Sequence, residues 1–264
     1  MSDKFNKLLS KFIDSFYKKN KKRKPGRPCM FPTIFYVEQI CYVLINGISW
    51  NNLKPQYENK KCTGNAIYKK FRKWTDDGLF EQFYLTHYKK YKKEFGEHQN
   101  FFIDSTVVKN GNNSKDVGYS PKIKSKKSIK LSIICDDNKV VHDIHISKSH
   151  VHDSKLILPV LKNVIKANKK INLIGDLGYL SNKNTLNKLK RKNVRLVTPI
   201  RKNMKKSKLT KKDKKLLKKR YVVEHVFAYL KRSTKKINII YERNIQNYLS
   251  WLYIANTINI LKIM

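Results

Sequence analysis

The sequence predicts an α/β chain in which a mixed sheet with flanking helices follows a small all-α, helix-turn-helix-like segment. Three observations carry that expectation. Helical spacing of apolar residues dominates the first third of the chain. Near Asn100 the pattern changes to short apolar β runs and apolar–polar alternation, and from about Ser154 helices and strands take turns. A chain of 264 residues, 40% of them hydrophobic, can bury one large core or two modest ones.

Taken in order, residues 4–17 place Phe5, Leu8, Leu9, Phe12, Ile13 and Phe16 on one helical face. A basic linker follows, with Gly26 and Arg27 between prolines and therefore extended; it reads first as a solvated linker or a nuclear localisation signal, and second as an AT-hook whose Arg27 would lie in a narrow minor groove. Helices are predicted over 36–44, 65–74 and 79–91. The middle one is basic and aromatic, with Lys69, Lys70, Arg72 and Lys73, and suits a DNA-reading helix. Strands are predicted over 101–104, 128–135 and 140–146, the last two joined by a turn at Asp136, Asp137 and Asn138. A helix over 154–167 with Asp153 as its cap, a strand over 171–174, a helix over 181–192 and a strand over 194–199 come next. Helices over 221–235 and 247–263 close the chain. The order β-β-β-α-β-α-β-α is that of a ribonuclease-H-like fold. The expected organisation is an N-terminal helix and linker (1–30), a helical DNA-binding domain (31–96) and a catalytic domain (97–264).

Charge narrows the function. The chain carries 59 Lys+Arg against 19 Asp+Glu, a formal net charge of +40. Such a field opposes compaction unless a polyanion neutralises it, and nucleic acid is the obvious one. Codon usage in an AT-rich genome explains an excess of lysine over arginine, but not the scarcity of acids. Cys29, Cys41, Cys62 and Cys135 form no C-x-x-C pair, so neither a zinc site nor a disulfide framework is expected, and a reduced intracellular compartment is. No run approaches the roughly 18 apolar residues of a membrane span, nor does the N-terminus read as a signal peptide.

Against that basic background three acids stand out. Asp104 is expected at the end of the first strand, Asp176 just past the fourth, and Glu224 on a helix. Strand ends of an open α/β sheet converge on one functional edge. Carboxylates gathered there repel one another, which hard divalent cations such as Mg2+ or Mn2+ relieve. Two such ions about 3.5–4 Å apart activate the attacking oxygen and stabilise the leaving one in phosphoryl transfer. Singly, each acid has a duller reading as a cap, a loop start or a lysine partner.

Together the motifs resemble those of bacterial insertion-sequence DDE transposases. Residues 102–106 (Phe-Ile-Asp-Ser-Thr) and 174–179 (Ile-Gly-Asp-Leu-Gly-Tyr) are similar to the family's first two acidic motifs. Residues 220–227, with Arg220 before Glu224 and Lys231 after it, resemble the glutamate motif. Residues 47–55 and 149–154 are similar to further segments of the family, and the likeness covers about 31–260. One departure is Leu217, where the family often has a tyrosine that handles a flipped base or hairpin end. The resemblance implies a cut-and-paste enzyme in which Asp104, Asp176 and Glu224 hold two Mg2+ or Mn2+ ions. Arg220 and Lys231 share the Glu224 face of a helix and would contact DNA phosphates. The partners implied are double-stranded DNA, as terminal inverted repeats and target, and a second copy of the chain.

The lysine-rich run 201–220, in which Asp213 is the lone acid, is expected to track DNA backbone and to order on binding. His142, His145, His150 and His152 form a local cluster, but His142 and His145 point to opposite sides of a strand, against a metal site. An inactive, DNA-binding descendant and a metal-dependent nuclease of the same fold remain open readings.

Overall fold

The computed structural model of the chain describes residues 3–19, 30–111, 117–161, 169–200 and 209–264. Helices α1 (Asp3–Lys19), α2 (Thr33–Asn46), α3 (Gly64–Asp76) and α4 (Leu79–Phe95) come first. The apolar stripe of α1 buries Phe5, Leu9 and Ile13, and that of α3 buries Ile67, Phe71 and Trp74, as helical periodicity requires. Between α2 and α3 lies a small antiparallel pair, β1 (Gln56–Tyr57) and β2 (Lys60–Lys61). Two-residue strands carry too little pattern to be read in advance. The preceding loop presses so closely on α3 that a Cβ on Gly64 would stand 1.8 Å from the Trp50 carbonyl oxygen, which only glycine avoids.

Past α4 come β3 (Asn100–Asn110), β4 (Gly118–Ser120), β5 (Ser125–Asp136), β6 (Val141–Lys148) and α5 (Asp153–Val160). They are followed by β7 (Ile171–Ile174), α6 (Lys183–Arg191), β8 (Val194–Val197), α7 (Lys211–Lys218), α8 (Tyr221–Ser233), β9 (Ile239–Ile240) and α9 (Ile245–Ile263). β5 lies antiparallel between β3 and β6, while β3, β7 and β8 run parallel. The result is the expected mixed, ribonuclease-H-like sheet with flanking helices, preceded by helices.

Three expectations need correction. β3 does not end at Asp104 but runs on to Asn110, because β5 pairs with it as far as Lys109 and β9 joins its far end. The polar run Asp104-Ser105-Thr106 hid that continuation. The cap of α5 is His152, whose Nδ1 accepts from the Ser154 N–H at 3.3 Å, so Asp153 is the first helical residue instead. Finally, residues 211–218 of the lysine-rich run form α7. Its lone acid docks it: Asp213 closes a capping box with Thr210 and receives Arg195 of β8 at 2.7 and 2.8 Å. Residues 201–208 of that run and 162–168 of the helix expected over 154–167 lie outside the described residues.

The sheet is covered on both faces. Phe102, Val108, Leu131 and Ile133 pack with Val222, Val223, Val226 and Phe227 of α8. That core continues through α9 into the N-terminal helices, where Trp251 stacks on Phe71 with ring centroids 4.1 Å apart. On the other face Phe101, Ile103 and Ile134 pack with Ile157 and Val160 of α5. Each such side chain, fully buried, stabilises the fold by roughly 1.5–3 kcal/mol. The two layers thereby hold α8 and the start of α5 against the middle of β3.

Candidate active site

Strand register explains why two of the three acids meet. The parallel ladder between β3 and β7 ends with Phe102 opposite Ile174, and each chain carries an aspartate two residues further on. There β7 leaves the sheet through Gly175, whereas β3 continues beside β5. Alternation puts Asp104 and Thr106 on the face of Phe102, the face that α8 covers.

Asp104 is held in an unfavourable place for a charge. Burial pushes its carboxyl up to about 6; the Ser105 N–H, donating at 2.8 Å, and the Arg220 charge oppose the rise, while Asp176 and then Asp153 add to it. Asp176 caps the short turn Leu177–Tyr179, its Oδ1 accepting from the Gly178 N–H at 2.8 Å. A Cβ on Gly178 would stand 3.0 Å from both Asp176 Oδ1 and Asp153 Oδ2, so glycine here leaves room for two carboxylates side by side.

Asp153 is thus a third acid at this edge, one that sequence reasoning treated as a helix cap. It reaches through the sheet's other face: its Oδ1 accepts from Ser105 Oγ at 2.7 Å and from Lys130 Nζ at 3.0 Å. Ser105 follows Asp104 and points the opposite way, so Asp153 grips the backbone that carries Asp104. The signal that could have found it is the segment 149–154, singled out for its resemblance but not for its acid. Buried Tyr179 packs beside the cluster, its hydroxyl pushed upward by burial and by the charges of Asp153 and Asp104.

Glu224 stands apart from this group. It is exposed on α8, 57% of its side chain accessible, with Oε1 3.4 Å from Nη2 of Arg220 one turn earlier. Arg220 in turn has its Nε buried without a hydrogen-bond partner, and its charge is felt at Asp104. Among the described residues, no three His, Cys, Asp or Glu side chains stand close enough to share a metal ion. The donor chemistry nonetheless suits a hard cation: carboxylate oxygens of like charge are crowded at one edge and one is already resisting ionisation. Lys231 lies on the same side, donating from Nζ to Thr106 Oγ1 at 2.7 Å, and burial lowers its pKa.

The remaining candidates fall elsewhere. Lys69, Arg72 and Lys73 are exposed on α3 and Lys70 is half-buried. Lys70 sits over the Tyr36 ring, Arg72 over Tyr68, and Lys73 over Tyr17 while pairing with Asp77 at 3.8 Å. Arg27 and its proline-flanked stretch lie outside the described residues. The histidine cluster is dispersed: His142 is buried against Asp136 and Tyr88, His145 is half-buried, His150 is exposed and His152 caps α5. Among the described residues no helix is long and apolar enough to cross a membrane.

Residues 96–260 match a family model described as the transposase DDE domain. No curated protein sequence matches the chain. Among solved structures, the piggyBac transposase synaptic complex with hairpin DNA is similar over 99% of this chain and 72% of its own, at 12% identity and a TM-score of 0.55. The Mos1 strand transfer complex aligns with 70% of this chain and 66% of its own, at 10% identity and a TM-score of 0.25.

Proposed function

Because this chain belongs to the transposase DDE domain family, we propose that it is an active DNA transposase that cuts and rejoins DNA at the ends of a mobile element. Asp104, Asp176 and Glu224 are the residues assigned to hold two Mg2+ or Mn2+ ions. Those ions, when bound, would supply the Lewis-acid chemistry that activates an attacking oxygen and stabilises the leaving one. The observation that carries this reading is the meeting of aspartates at the end of the β3–β7 ladder, where burial above all, with the charges of Asp176 and Asp153 adding to it, raises the Asp104 carboxyl to about 6. Perturbation by burial and like charges, at a sheet edge where aspartates from two strands and a helix meet, favours a working group over a structural one.

The protein's own part is to position and to hold charge. Asp104 gives up a proton that burial favours keeping. Glu224, exposed and tied by a 3.4 Å ion pair, turns from Arg220 toward the aspartates. Arg220 and Lys231 are then left to meet phosphate oxygens on the same helix face. Ser105, clamped by Asp153, keeps the Asp104 backbone from yielding to repulsion. In this reading the substrate is double-stranded DNA, as terminal inverted repeats and target, and two copies of the chain hold the two ends. Residues 31–96, with Lys69, Lys70, Arg72 and Lys73, contribute further DNA contacts, as does Arg27.

The test combines purified protein, Mg2+ or Mn2+, and DNA carrying the inverted repeats that flank the coding region. Strand transfer, abolished by Asp104→Asn with binding retained, supports a transposase. Cutting without joining would make the protein a nuclease, and metal-independent binding alone would make it an inactive DNA-binding descendant.

A further inference from the structure

At the far end of β3 a second concave site opens, distinct from the acid cluster. A cleft of about 910 Å3 lies between α3 and the segment joining β9 to α9, walled by Trp50, Tyr68, Arg72, Tyr241, Arg243 and Asn247. Its volume falls within the roughly 300–1,000 Å3 usual for ligand clefts. The walls pair aromatic rings with cations: Arg72 lies over Tyr68, Lys236 lies over Tyr241, and Tyr241 is left 53% exposed. The acid on the wall, Glu242, is buried and already satisfied by Lys236 at 3.6 Å and by the Trp251 indole N–H at 3.0 Å. The open charge is therefore positive, from Arg72 and Arg243, both exposed. Deep in the cleft, Asn247 is 1% exposed and its Oδ1 has no hydrogen-bond partner. A buried amide oxygen left unpaired invites a donor from a ligand.

We propose that this cleft binds an unpaired stretch of DNA strand, with phosphates on Arg72 and Arg243 and bases against Tyr68 and Tyr241. The proposal rests on the reading of the chain as a DNA-processing enzyme. A duplex hides its base faces and offers a protein mainly phosphates and groove edges, whereas an unpaired strand offers flat faces to aromatic rings. A recessed cleft with aromatic walls therefore suits single-stranded DNA better than duplex. Asn247 then reads a base edge, its free oxygen accepting from an exocyclic amino or ring N–H group.

Position links the cleft to the acids. β9 pairs with the last residues of β3, Lys109 opposite Ile239 and Asn110 opposite Ile240, and Tyr241 follows directly. Asp104, Thr106 and Asn110 share one face of β3, and from Asp104 to Asn110 an extended strand covers about 20 Å at ~3.3 Å per residue. Lys231 bridges the interval through Thr106. A strand anchored in the cleft thus has a basic path back to the acid edge.

Fluorescence anisotropy with the full-length protein tests this, using labelled oligothymidylate of about a dozen nucleotides and a blunt duplex of about 20 base pairs. Tyr241→Ala is expected to weaken oligothymidylate binding about tenfold, Tyr241→Phe to restore it, and duplex binding to change less than about threefold. Arg243→Gln should lower the single-strand salt slope by about 0.7. Normal oligothymidylate binding by these variants, with unchanged melting temperature, overturns the proposal while leaving the enzyme reading standing. Equal losses on strand and duplex would make the cleft a duplex phosphate track and also overturn it. A wild-type protein that binds neither DNA would remove the proposed function itself.

Discussion

Two aspartates on the same pair of strands, Asp136 fully buried and Asp104 half-buried, have opposite fates. Asp136, at the end of β5, is wholly buried and receives Tyr91 OH at 2.7 Å, His142 Nε2 at 2.7 Å, the Val140 N–H at 3.0 Å and His98 Nε2 at 3.2 Å. Burial works against its charge, but the contacts from His142 and Tyr91 prevail and its pKa falls. Asp104, on β3, is pushed up to about 6 by burial, with a single backbone N–H and the Arg220 charge opposing and two aspartates aggravating. The first acid is paired by its own fold and ties α4 to the sheet. The second is left short of partners, the condition in which a bound cation or an incoming ligand has most to offer.

The comparison is broken most sharply by neutralising each acid in turn. Asp104→Asn is expected to cut DNA cleavage by about 10^3-fold or more while raising the stability of the metal-free protein by about 1–2 kcal/mol at pH 8, since one pKa unit is worth about 1.4 kcal/mol. Asp136→Asn should instead cost about 2–4 kcal/mol of stability, leaving buried donors without a charged acceptor. Urea midpoints and a cleavage assay on both variants decide it; stability changes of the same sign would sink the distinction.

The pH dependence sharpens it. Asp104 is raised from 3.8 to about 6 on folding, so the folded state holds its proton more tightly and stability falls as pH rises between those values. Asp136 is lowered, so its contribution is complete above the ordinary carboxylate range and is lost as pH falls through its lowered folded pKa. Subtracting each Asn variant's pH–stability curve from the wild type's should give opposite slopes, and parallel curves would count against both assignments.

A smaller effect concerns Asp153. Asp153→Asn removes a negative neighbour of Asp104 and weakens the clamp on Ser105, so cleavage should drop about tenfold. The acid limb of its pH–rate profile should shift downward, which a merely structural loss would not cause. Smallest is Lys231→Met, expected to lower the salt slope of duplex binding by about 1 with little change in melting temperature. An unchanged slope would remove Lys231 from the DNA path.

Much of the architecture was readable because periodicity is local. The strand over 171–174 was found at its true bounds, and the helices of 79–91, 221–235 and 247–263 within a few residues, from apolar spacing alone. The apolar run stops at Asp104, Ser105 and Thr106 and so understates β3, whose length is set by β5, a partner that follows only after β4. Asp153 was misread because a lone acid at a helix start looks like a cap, and only the packing of α5 on the sheet turns it toward Ser105. The cleft at Tyr241 left no trace in any single segment, since its walls come from α3 and from the β9–α9 connection.

The sequence by itself determined the charge, the succession of strands and helices, and the candidacy of Asp104, Asp176 and Glu224, all properties of short windows and of composition. The tertiary structure decided which of those acids are neighbours. Ladder register brings Asp104 and Asp176 together, α5 adds Asp153, and the exposed rotamer of Glu224 keeps it with Arg220. The reason is that side-chain proximity depends on pairing between segments far apart in the chain, and that pairing is selected by the burial of whole faces rather than by the residues that face the site.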